Sequence, residues 1–215
     1  MKLYSISTLM GPELDTRLRN VPTQARSRER LRRVLDAADQ VLARDGADAF
    51  TTTRIARVAG VPVGSVYRYF PDKEAIVEAL ATRYWDEFAD LVAAAAQLDE
   101  QSPMPDPAAG VLEALAAAFR GRPGFLALWY GGLRTEQIRD VTRPTREAIA
   151  GSVERILAVH WPRASARDRA AAARMVVIAG DGLLREAFRT SRRGDAQLLA
   201  ESRVMLGAYV RARLG

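Results

Sequence analysis

The chain contains no cysteine and a single histidine, His160. The first absence excludes disulfides, thiolate catalysis and cysteine-ligated metal sites. The second removes most zinc sites and most histidine-dependent triads. His160 sits in Val-His-Trp-Pro at the end of a helical pattern, where a histidine reads as a partner for the helix dipole rather than as a ligand or catalyst. Adjacent acids such as Asp86-Glu87 and Asp99-Glu100 do not share a helix face and make poor acid–base pairs. No apolar run approaches the ~18 residues a membrane span needs. No segment reads as a β-strand, and no repeat or low-complexity tract occurs. The N-terminal stretch, Lys2 and then a mixed run broken at Gly11-Pro12, is a poor signal peptide. The expectations are a cytoplasmic protein that is not an enzyme, has no metal or cofactor and has no membrane association.

What the chain does contain is helical periodicity and an uneven charge. It has 215 residues, 48% of them hydrophobic and 27% charged, which is ordinary for a globular protein with ample material for a core. Its formal net charge is +6. Residues 1–73 hold thirteen Lys/Arg against eight Asp/Glu, whereas residues 74–215 hold nineteen against eighteen. Nearly all the surplus therefore lies in the first third, which on charge alone fits a solvated face as well as a segment that meets phosphate. Residues 1–25 lack periodicity and read as an arm. Arg17, Arg19, Arg26 and Arg28 in and beside it could follow a DNA backbone or minor groove, although an ordinary frayed terminus is the more expected reading.

From Arg26 to about Arg44 the stripe Leu31, Val34, Leu35, Ala38, Val41 and Leu42 marks an amphipathic helix, stopped by Asp45-Gly46. Phe50 is expected to plug a small core with Leu35, Val41, Ile55 and Phe70. The stretch from Thr51 to Lys73, TTTRIARVAGVPVGSVYRYFPDK, then reads as helix, sharp turn, helix and the start of another. Thr51 is a candidate N-cap, and Ile55, Val58 and Ala59 share one face. Gly60 ends the first helix, Pro62 and Gly64 separate it from the next, and Val66, Tyr69 and Phe70 give the second its apolar side. Pro71 breaks that helix and Asp72 can cap the one that follows. Two short helices around a tight glycine turn form a helix-turn-helix, whose second helix can enter a major groove. Val63, Gly64 and Ser65 form its exposed first turn. Tyr67 and Arg68 face outward, and arginine suits a bidentate contact with guanine.

GVPVGSVYRYFPDKEAI resembles the signature of TetR-type transcriptional regulators, with matches at Gly60, Val61, Ser65, Tyr67, Tyr69, Phe70 and Lys73. The likeness covers about a quarter of the chain, from Arg26 to Leu80. It implies an all-α protein: an N-terminal three-helix DNA-binding domain over 26–73 and a helical effector-binding and dimerisation domain over 74–215, about nine helices together. It implies that Val63, Gly64, Ser65, Tyr67, Arg68 and Tyr69 face a palindromic operator, with phosphate contacts from Thr51, Thr52 and Lys73, and Thr53 near a base. A repressor released by a small-molecule effector is the function implied. An all-helical ligand carrier or enzyme with an incidental helix-turn-helix is the alternative.

The remaining pattern is helical. A long helix runs from Asp72 to about Leu98, a Pro-rich break follows at 101–107, and further helices cover 106–119, 125–130, 135–161 with a break at Pro144, 167–189 and 195–213. Trp85, Phe88, Met104, Phe119, Phe125, Trp129, Tyr130 and Met175 could line a ligand pocket between helices or simply pack a core. Met175, Val176, Ile178, Ala179, Leu183 and Phe188 mark the apolar side of 167–189, as Leu198, Leu199, Val204, Leu206 and Tyr209 do for 195–213. Gly180-Asp181-Gly182 interrupts an apolar helix and is expected to serve close helix packing, possible also across a homodimer seam made by the last two helices. Asp181 is expected to be a paired acid, with a ligand contact as the other reading.

Overall fold

The computed structural model of the chain describes residues 25–130 and 136–215. The described residues form ten helices: α1 (Ala25–Asp45), α2 (Thr52–Ala59), α3 (Val63–Tyr69), α4 (Lys73–Gln101), α5 (Pro107–Gly121), α6 (Pro123–Tyr130), α7 (Glu136–Val141), α8 (Arg143–His160), α9 (Ala166–Phe188) and α10 (Ala196–Leu214). The expected nine become ten because 135–161 divides at Thr142, just before Pro144. Residues 1–24 and 131–135 lie outside the described set, and with them Arg17, Arg19 and the first residue of the 135–161 helix, Thr135.

Local signals explain most helix ends. Thr51 caps α2 by accepting from the Arg54 amide at 3.2 Å, and Gly60 closes it with φ 65°, a left-handed conformation that glycine adopts without strain. Asp72 Oδ1 accepts from Ala75 N at 2.7 Å and starts α4. Ser165 and Asp195 cap α9 and α10 in the same manner. The Pro-rich break ends at Asp106, which caps α5 through the Ala109 amide at 2.9 Å.

By compactness the chain forms two units. One runs to Asp86 and takes in 122–143; the other comprises 87–121 and 144–215. In the first, α1 packs on α2 and α2 on α3. Leu31, Val34, Val41, Leu42, Phe50, Ile55, Val66 and Phe70 are all buried, so Phe50 fills the small core as expected. Each such side chain contributes about 1.5–3 kcal/mol over its exposed state. Val58 is the exception: it is 40% exposed, and Ala56 takes the inner position in its place. Helix α6 also packs on α1 in this unit. A Cβ on Gly124 would lie 1.9 Å from Asp39 Oδ1 and 3.0 Å from the Asp39 carbonyl oxygen, so only glycine permits this approach. Tyr84 Oη donates to the same carboxylate at 2.5 Å, and Arg83 ties Asp36 at 2.8 Å.

In the second unit α9 packs on α10, and both touch α5. Gly180 is buried, but a Cβ there would meet Leu206 at an ordinary 3.9 Å and one at Gly182 would meet nothing within 4 Å, so neither glycine is required by the close packing expected of this stretch. Asp181 is half-buried and pairs with Arg185 and, at 3.5 Å, with Arg146, so it is a paired acid. His160 Nε2 lies 3.0 and 3.1 Å from the oxygens of the fully buried Asp99, which also accepts from Met104 N at 2.7 Å. The histidine therefore joins α8 to the end of α4 through a side-chain partner rather than only the dipole. Met175 and Ile178, expected on the inner side of α9, are instead 49% and 66% exposed, and Val204 and Met205 on α10 are exposed with them.

Candidate nucleic-acid interface

The interface is built on α2 and α3. Helix α3 is buried through Val66 and Tyr69, and it follows α2 after the turn at Gly60. Because α3 sits on that side, the residues at other angles face outward. Val63, Gly64, Tyr67 and Arg68 are exposed and Ser65 is half-buried. Thr51 and Thr53 are exposed and Thr52 is half-buried at the N-terminus of α2. Backbone N–H groups and hydroxyls at such an end favour an anion. Lys73 is exposed at the first position of α4, the positive end of that helix, where a cation weakens the helix by about 0.3–1 kcal/mol. Helix stability therefore does not account for Lys73.

Two hydroxyl pairs organise this surface. Tyr67 Oη and Thr52 Oγ1 are 3.0 Å apart and join α3 to α2. Tyr69 Oη and Ser27 Oγ are 2.9 Å apart and join α3 to the first turn of α1. Arg54 Nη2 and Nε lie 2.8 and 3.0 Å from Asp45 Oδ2, tying α2 to the end of α1. Tyr69 departs from its expected place among the outward residues. It is 1% exposed, because at three residues from Val66 its ring falls on the buried side of the helix. Its hydroxyl partner, Ser27, has no sequence signal: forty-two positions separate the two. Tyr67, at 42% exposure, stands where helical spacing puts it.

The pocket candidates divide between the units. Phe125 stacks on Trp129 at 5.5 Å in the first, with Tyr84 edge-on to Phe125 and Trp85 edge-on to Trp129. Phe88 stacks on Phe119 at 5.2 Å in the second, and Phe119 meets Phe188 at 5.4 Å. These six rings other than Phe188 are buried, as is Phe188 itself. Tyr130 and Met175 are exposed. Among the described residues no group of His, Asp and Glu could hold a metal ion, and no helix is long and apolar enough to cross a membrane.

Two family models match. One, described as bacterial regulatory proteins of the tetR family, covers residues 34–80; the other, described as the tetracyclin repressor-like C-terminal domain, covers 103–209. The chain belongs to the TetR family. A curated relative, the HTH-type transcriptional regulator YvkB of Bacillus subtilis, is 42% identical over 53 residues, which is 25% of this chain and 28% of that protein. The chain thus matches little more than a quarter of that relative's length. Solved structures align further. A TetR-family transcriptional regulator from Streptomyces coelicolor has 27% identity and a TM-score of 0.61, over 86% of this chain and 99% of that one. The multidrug binding protein EbrR complexed with ethidium has 26% identity and a TM-score of 0.61, over 84% of this chain and 98% of that one. The all-helical architecture of this TetR-family chain, with a helix-turn-helix followed by a helical domain, agrees with both.

Proposed function

We propose that this TetR-family chain is a homodimeric, cytoplasmic transcriptional repressor that a small molecule releases from a palindromic operator. The reading assigns DNA recognition to 26–73 and effector binding and dimerisation to 74–215. The observation that carries it is the outward face of α3, where Tyr67 and Arg68 stand exposed and Tyr67 meets the Thr52 hydroxyl at 3.0 Å, with Thr51, Thr53 and Lys73 exposed as well. Val63, Gly64 and Ser65 offer small side chains at the end of α3 that approaches base edges, and Arg68 supplies the bidentate donor. Thr51, Thr52, Tyr67 and Lys73 hold phosphates and fix register; Thr53 lies close to a base. Tyr69 acts from inside the head.

The apolar face of α9 and α10 supports the dimer. Met175 and Ile178 on α9 and Val204 and Met205 on α10 are exposed on the two helices that pack together. A second copy of the same face covers them with twofold symmetry, which presents two α3 helices to successive major grooves. Effector release follows if a small molecule binds better to the conformation whose two heads are wrongly spaced, since only differential affinity shifts the equilibrium. The likeness to EbrR, a protein solved with ethidium, supports an effector site in 74–215. A mobility-shift titration on DNA upstream of the chain's own gene tests the reading. The expected result is a specific complex whose affinity falls steeply with salt; a complex indifferent to sequence refutes it.

A further inference from the structure

The two tyrosines of α3 carry a consequence that rests on the DNA-reading function proposed above. Helix α3 has seven residues and its N-cap, Pro62, gives no side-chain bond. Helices shorter than ~12–15 residues do not hold themselves in water, so neighbours must impose the geometry of α3. Its buried contacts come from Val66 and Tyr69. Apolar burial is non-directional and fixes the depth of a helix better than its roll about its own axis. Hydrogen bonds are directional and supply what packing lacks.

The bonds are placed to do this. Successive residues of a helix are about 100° apart, so Tyr67 and Tyr69 flank Val66 on opposite sides. Tyr67 is held from α2, by Thr52 at 3.0 Å, and Tyr69 from α1, by Ser27 at 2.9 Å. A roll of ~15° would carry a side-chain tip ~5–6 Å from the axis through roughly 1.4 Å. That breaks both bonds, and it exceeds the ~0.5 Å within which a recognition group must be held.

We propose that Ser27 is a positioning residue for base recognition: through Tyr69, and opposite the Thr52–Tyr67 pair, it fixes the roll of α3 and so sets sequence discrimination without touching DNA. The loss of its hydroxyl lets α3 roll, which misplaces Arg68 at base edges while the number of phosphate contacts stays the same.

The test uses two probes: a duplex that the wild-type protein selects from a randomised pool, and a shuffled duplex of equal length. The full-length chain is compared with Ser27→Ala, Tyr69→Phe, the double variant, Ser27→Thr and Arg68→Ala. The readouts are the ratio of affinities for the two probes and the slope of affinity against salt. Expected for Ser27→Ala and Tyr69→Phe is a three- to tenfold fall in the ratio, roughly the effect of one neutral hydrogen bond, at an unchanged salt slope. The double variant should be no worse than either single one, since both remove the same bond, and Ser27→Thr should keep the wild-type ratio. The inference is overturned if both single variants stay within about twofold of wild type. It is also overturned if ratio and salt slope fall together, which makes Ser27 a phosphate contact. Failure of the DNA-reading function looks different: the wild type selects no duplex, or Arg68→Ala discriminates as well as wild type.

Discussion

Two exposed faces of this molecule differ in how they are held. On the head, Tyr67, Arg68, Thr51 and Thr53 lie outward, and Tyr67 is fixed by a hydroxyl bond to Thr52. On α9 and α10, Met175, Ile178, Val204 and Met205 lie outward with nothing but apolar surface to offer. The first face is polar and partly pre-set in geometry by that bond, which suits the groove-matching role proposed for it. The second would gain by being covered, because burying exposed apolar side chains is favourable, and the proposed dimer covers it. Exposure alone therefore says little about use. The chemistry of what is exposed, and whether bonds restrain it, separates a reading face from a sticking face.

The comparison is broken most severely by charging the apolar face. Ile178→Glu is expected to give a monomer by sedimentation and to lower operator affinity at least a hundredfold, since two half-site contacts become one. A dimer that survives this substitution removes α9 from the interface. Arg68→Ala attacks the other face. It is expected to lower specific affinity about 5- to 150-fold, the range of one bidentate base contact, and to leave the oligomeric state and salt slope unchanged. An equal loss on shuffled DNA would make Arg68 a phosphate contact.

Smaller effects probe the frame behind the faces. Gly124→Ala forces a methyl group into the Asp39 carboxylate and backbone, and is expected to lower stability by about 1–3 kcal/mol, some 2–12 °C in Tm. An unchanged Tm would mean that α6 does not lie on α1 as described. The smallest effect concerns pH. The Ser165 hydroxyl and the Arg213 guanidinium beside Asp168 hold its carboxyl below the usual carboxylate value of 3.8. The folded state therefore binds that proton less readily than the unfolded one. The contribution is present above the unfolded value and is lost as pH falls through it toward the lower folded one. Asp168→Asn is expected to shallow the acid limb of the melting profile in that window and leave neutral pH little changed; an identical limb contradicts the assignment.

How much of this was legible in the sequence depends on the range of the interaction. Caps and stops are local, and Thr51, Gly60 and Asp72 announced themselves by residue type, because a cap or a stop depends only on neighbouring backbone. The outward set on α3 was legible from helical spacing, apart from Tyr69, where the family likeness pointed outward and spacing pointed inward. Spacing also put Val58 inward, because periodicity cannot say which of Ala56 and Val58 the small core accepts. Contacts distant in sequence left no trace: Ser27 with Tyr69, Asp39 with Gly124, Asp99 with His160. Met175, Ile178 and Val204 misled in an instructive way. A hydrophobic residue at helical spacing marks a face to be buried, and among the described residues nothing buries these three.

The central claim, that the outward side of α3 meets base edges in the major groove, is tested most directly by dimethyl sulfate interference on the selected duplex. Methylation at guanine N7 probes the major groove and methylation at adenine N3 the minor groove. The account predicts two symmetric clusters of N7 interference, whole helical turns apart, with the cluster weakened for Arg68→Ala. Interference confined to adenine N3, or N7 interference that Arg68→Ala leaves untouched, would contradict it.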